Sequence, residues 1–87
     1  MKDIDELPLD FMETEYKRIG TNVARIRRSK KISQLKLAQA IGHQSVSIIS
    51  CAEICHNNYH FNIEHLTKIA YVLEVDISDF FKHSDNT

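Results

Sequence analysis

Between Phe11 and Ile26 the apolar side chains Phe11, Met12, Tyr16, Ile19, Val23 and Ile26 recur at spacings of three and four, which lines them up on one face of a helix. Shorter stripes follow at Leu37, Ala38 and Ile41, at Ile49 and Ala52, and at Ile63, Leu66, Ile69, Ala70 and Leu73. Each is preceded by a residue able to accept a bond from the first exposed N–H groups: Ser33, Ser45 and Asn62, with Asp76 before a last short turn. Asp10 and Glu13 have the spacing of a capping box at the first start, and Gly42 suits the left-handed position after the second helix. The spacing predicts five helices: Phe11–Ser29, 34–41, 46–54, one opened by Asn62, and Ile77–Phe81 with Phe80 in the core. Two glycines and one proline leave few turns with special backbone angles, and the expected fold is a single all-α domain over 11–81. Residues 1–10 form an acidic lead ending near Pro8, and 82–87 are expected to be a disordered tail.

Charge is distributed unevenly. Residues 1–16 hold one lysine against six acids, net −5. Residues 17–52 hold Lys17, Arg18, Arg25, Arg27, Arg28, Lys30, Lys31 and Lys36 with no acid, net +8, and residues 53–87 return to −4. A stretch this long without a carboxylate points to a polyanionic partner, although a solvated basic helix would carry the same charges. No apolar run approaches the ~20 residues of a membrane span. Residues 1–6 are acidic where a secretory leader is basic, so a cytoplasmic protein with no membrane partner is expected. Cys51 and Cys55 are too few for a disulfide framework.

The two short central helices, joined by a Gly-containing turn within the basic stretch, have the make-up of a helix-turn-helix. Ile19-Gly20, Val23, Ile26-Arg27, Ile32-Ser33-Gln34, Leu37-Ala38, Ile41-Gly42, Ile49-Ser50, Glu53, Leu66, Lys68-Ile69-Ala70, Leu73, Val75 and Phe80-Phe81, taken in order, resemble the lambda-repressor-like (XRE/Cro) DNA-binding domain over residues 19–81. The resemblance implies a five-helix fold that binds double-stranded operator DNA as a homodimer in a bacterial or phage setting, nucleoid-associated in the cytoplasm. It implies that Gln34 bonds a phosphate, that Ser45 caps the reading helix, and that Val46, Ser47 and Cys51 face base edges, with Gln44 and Ser50 beside them. Arg28, Lys30, Lys31 and Lys36 would lie along the duplex backbone. Arg27 and Glu53 match a structural ion pair bridging the first and third helices. Ile77 and Phe81 are candidates for the contact between two copies.

The sequence departs from that family in three places. The turn Gly42-His43-Gln44-Ser45 is one residue longer than usual. Residues 54–60 are about two residues longer than the family's loop and contain neither Gly nor Lys or Arg, so Asn57 or Asn58 would have to supply a left-handed turn. The reading positions lack the Arg, Gln or Asn able to grip one base twice, so specificity would rest on thymine methyls, DNA shape and Gln44. The alternative function is a protein-interaction module, such as an antitoxin or a subunit governed by a regulatory protein partner.

Cys51, Cys55, His56 and His60 lie within ten residues and raise the question of zinc. While the helix continues, His56 points about 100° away from the face shared by the cysteines, so no metal and no cofactor are expected. A redox role for Cys51 among the cations is the lesser alternative. No nucleophile or acid–base constellation marks an enzyme, and His65 reads as a first-turn residue of the fourth helix.

Overall fold

The computed structural model describes residues 1–83 and is all-helical, with no strand among the described residues. The described residues contain four α-helices: α1 (Phe11–Ser29), α2 (Gln34–Ala40), α3 (Ser47–Ile54) and α4 (Ile63–Leu73). The expected fifth α-helix is instead a short 3-10 turn, Ile77–Phe81, and two more such turns span Ile4–Glu6 and His56–Asn58.

The core forms where the stripes meet. Val23 and Ile26 from α1, Leu37 and Ala38 from α2, Ile49 and Ala52 from α3, and Leu66, Ile69 and Leu73 from α4 are all buried, and Phe80 closes the cluster with no exposed surface. α1 packs mainly on α3 and on the 77–81 turn, while α2 bridges α3 and α4. Phe11 and Met12 belong to the α1 stripe by spacing, yet they project past the core and stay exposed, as does Ile63 on α4.

Three helices end in the same way. Lys31 after α1, Gly42 after α2 and Glu74 after α4 adopt left-handed backbone, at φ of 60°, 90° and 59°. The next residue then donates back across the final turn: Ile32 to Arg27, His43 to Ala38 and Val75 to Ala70, at 3.2, 2.9 and 3.0 Å. These bonds satisfy carbonyls that the helix itself leaves free.

The starts differ in quality. Ser33 accepts from the Lys36 N–H at 3.0 Å and Asp76 from Ser78 at 2.9 Å. The Asp10–Glu13 box does not form. Asp10 sits at φ −95° and ψ 8°, outside the extended region that aims a capping side chain, and Glu13 pairs with Lys17 at 2.9 Å instead. Ser45 accepts from the Ser47 N–H at 3.3 Å, so α3 proper begins one residue later than the spacing suggests.

A complete box opens α4: Asn62 Oδ1 accepts from the His65 N–H at 2.8 Å, and His65 Nδ1 accepts from the Asn62 N–H at 3.3 Å. Burial holds the His65 pKa below its ordinary value, and repulsion from the neighbouring His43 lowers it further. The folded state therefore binds this proton less readily than the unfolded chain. The stability contributed by neutral His65 is fully present above about pH 6.5 and is lost as pH falls through the depressed folded value. His65→Gln keeps an acceptor at that position. In urea titrations between about pH 7.5 and pH 5 it is expected to lose less stability than the parent; equal losses would dismiss His65 as the responsive group.

Asn22, buried on α1, donates its amide to the carbonyls of Phe80 and Lys82, each at 2.9 Å. Lys82 also pairs with Asp79 at 2.8 Å. The expected tail is therefore ordered at its first residue, and residues 84–87 of it lie outside the described part of the chain. Ile77, offered above as a contact between copies, packs inward against the core, whereas Phe81 is partly exposed.

Candidate functional site

The basic segment runs through the end of α1, the connection to α2, and α2 itself. Its cations divide into two sets by what they touch. Lys17 and Arg18 are held by Glu13 and Glu15 of their own helix. Arg25, Arg28, Lys30, Lys31 and Lys36 are exposed and form no ion pair among the described residues. Arg28 closes the last turn of α1, Lys30 and Lys31 make the left-handed turn, and Lys36 lies on the first turn of α2. The Schellman-like end of α1 thus fixes where these charges stand.

Arg27 belongs to neither set. Its Nε donates to Glu53 Oε2 at 2.7 Å, one terminal nitrogen donates to Glu53 Oε1 at 3.1 Å, and the other donates to the Ile32 carbonyl at 2.8 Å. Both side chains are buried. Two parallel bonds from a planar guanidinium fix the orientation of both partners. The pair ties α1 to α3 at the point where the chain turns into α2.

Gln34 joins the same network. Its amide donates to Glu53 Oε1 at 2.8 Å, so one of its two N–H donors faces the ion pair rather than solvent. The sequence carries no local sign of this contact, because Gln34 and Glu53 meet only once α2 has packed on α3.

The turn between α2 and α3 and the start of α3 form an exposed polar surface. Gln44, Ser45 and Ser47 are exposed, Val46 is 37% exposed, and Ser50 and Cys51 are half-buried. The Ser45 and Ser47 hydroxyls lie 2.7 Å apart. The structure thus brings Gln44 to Ser47 together at one edge. Arg28, Lys30, Lys31 and Lys36 stand at the α1–α2 corner, with Gln34 between them and the buried pair.

The cysteine–histidine segment is used differently. Cys55 ends α3 in left-handed backbone at φ 55°, and Asn57 and Asn58 both follow in that conformation. Burial raises the Cys55 thiol pKa, which disfavours the reactive thiolate. His60 stacks on Tyr16 of α1, with ring centroids 3.8 Å apart and planes within 7°. Tyr16, Cys55, Asn58 and His60 border a surface cavity of about 310 Å³.

No helix among the described residues is long and apolar enough to cross a membrane. In comparison with known proteins, the chain matches no family model and no curated sequence.

Proposed function

We propose that this domain is a sequence-specific DNA-binding regulator of transcription, a lambda-repressor-like helix-turn-helix that works as a homodimer on operator DNA. The observation that carries this reading is the set of unpaired cations Arg28, Lys30, Lys31 and Lys36 at the α1–α2 corner, beside a short helix pair with an exposed α3 start. In this reading the cations contact phosphates. Gln34 orients toward the backbone while anchored on Glu53, and Gln44, Ser45, Val46, Ser47, Ser50 and Cys51 approach base edges. Arg27 and Glu53 keep α1 and α3 in register and do not touch DNA. Phe81 is the contact candidate left for the second copy. The setting is the cytoplasm of a bacterium or a phage-infected cell.

Selection of bound sequences from random duplex DNA tests the proposal: a palindromic enriched site supports it. No enrichment, together with no salt-sensitive binding, favours the protein-interaction module, for which exposed Leu35, Val46 and Ile54 are the supporting observation. On the selected site, Lys36→Ala is expected to weaken all sequences alike and to lower the salt slope by ~0.9. Ser47→Ala is expected to narrow the gap between selected and scrambled DNA by ~1–3 kcal/mol, the worth of one base pair. If neither Ser47→Ala nor Val46→Ala changes that gap, α3 does not read the bases.

A further inference from the structure

Two clusters of charges without ion pairs among the described residues stand at opposite ends of α1. Before the helix, Asp3, Asp5, Glu6 and Asp10 form no ion pair among the described residues; after it, neither do Arg28, Lys30, Lys31 and Lys36. The exposed pairs elsewhere are all local, three or four residues apart. A helix of 19 residues holds its ends about 27 Å apart, roughly three Debye lengths at physiological salt. Placed there, the acidic arm does not neutralise the cations at the far end of α1.

The arm is also apolar. Ile4, Leu7, Leu9, Phe11 and Met12 alternate with its acids, and all five are exposed. A merely solvated acidic lead would be poor in such residues. This one is shaped as well: Asp3 caps the Ile4–Glu6 turn by accepting the Asp5 N–H at 2.9 Å. Exposed Leu35 lies beside Lys36 at the cationic end, offering apolar surface within the complementary charge.

We propose that the acidic arm of one copy docks on the α1–α2 corner of a second copy, and the reverse, with the two α1 helices antiparallel. Two-fold symmetry makes the contact reciprocal and closed. Each arm brings four carboxylates to four cations that form no ion pair among the described residues of their own chain. The association stands on these charges and exposed apolar residues, whatever the domain binds. Its consequence, that the paired form hides the face used for DNA, rests on the function proposed above.

The test is sedimentation of the full chain beside two charge variants. The first carries Asp3→Asn, Asp5→Asn, Glu6→Gln and Asp10→Asn, where asparagine at position 3 retains the capping acceptor. The second carries Arg28→Gln, Lys30→Gln, Lys31→Gln and Lys36→Gln. The unaltered chain is expected to associate at about 0.05 M salt and to weaken at least ~100-fold by about 0.5 M. In the absence of DNA, where the operator-bound dimer does not form, each variant alone is expected to be monomeric, and a mixture of the two is expected to form a pair, since one supplies the corner and the other the arm. A first variant that associates as strongly as the parent overturns the proposal, as does a parent that stays monomeric at low salt. The first variant is also expected to bind random duplex DNA about 10-fold more tightly than the parent, because the arm no longer competes for the phosphate-binding cations. If the pairing behaves as described while neither protein binds DNA, the docking stands and the DNA-binding reading fails.

Discussion

Glu53→Ala is expected to destabilise the domain by about 3–5 kcal/mol, the range for removing one partner of a buried ion pair. A chain of this size has on the order of 5–10 kcal/mol in total, so the variant should be largely unfolded at modest urea concentrations. Glu53 is 4% exposed and Arg27 6%. Without the carboxylate, the guanidinium keeps only the Ile32 carbonyl, and Gln34 loses the acceptor that anchors its amide. Arg27→Met combined with Glu53→Leu removes both charges together. This double variant is expected to be more stable than Glu53→Ala, because no charge is left buried alone. Urea midpoints for Arg27→Met alone, Glu53→Leu alone and the double give the coupling directly; losses that simply add would mean the two side chains do not act as a pair.

Gly20→Ala should be nearly as damaging, at about 3 kcal/mol. Alanine is a better helix former than glycine by ~1 kcal/mol in an exposed helix interior, so the propensity term alone has the opposite sign. Packing decides the outcome. A Cβ at position 20 would stand 2.5 Å from the Glu53 carbonyl oxygen and 2.8 Å from that of Ala52. Both are backbone atoms of α3, so relief requires moving the helix, and moving it disturbs the Arg27–Glu53 geometry as well. Gly42 is the useful contrast, because a Cβ there meets nothing within 4 Å and the penalty comes only from its φ of +90°. Gly42→Ala is expected to lose about 1–2 kcal/mol. Thermal or urea unfolding that ranked Gly42→Ala as the worse change would contradict the close helix crossing.

The stripes were readable because three- and four-residue spacing is imposed by helix geometry, so α1 has the bounds that its apolar residues and Ser29 suggest. Ser33, Asn62 and Asp76 were readable as caps for an equally local reason: each bonds an N–H two or three residues ahead. Local rules failed where the backbone was set by something else. Asp10 has the right spacing from Glu13 but the wrong ψ, in a turn where the Phe11 N–H bonds the Pro8 carbonyl at 3.0 Å. His65 returns the bond of the α4 box where Glu or Gln is the usual residue, so the sequence pattern does not mark it. Lys31 and Glu74 end helices where glycine would be the usual residue. In the candidate site the unpaired cations follow from the absence of nearby acids in the sequence. The hold of Glu53 on Gln34 does not, since it joins residues that only tertiary packing brings together.

The clasp between Asn22 and the carbonyls of Phe80 and Lys82 joins positions 58 and 60 residues apart, and this bears on when folding can be completed during synthesis. A nascent chain that has already produced α1 through α4 still lacks the fully buried Phe80 and both acceptors for Asn22. Its α1 has no finished surface to close on, because the 77–81 turn is one of the two elements that α1 packs against most. The core is therefore expected to be completed only once the 77–82 segment is available. A message broken just before the Phe80 codon is expected to yield a polypeptide that contains α1 to α4 yet stays unfolded for want of its closing contact.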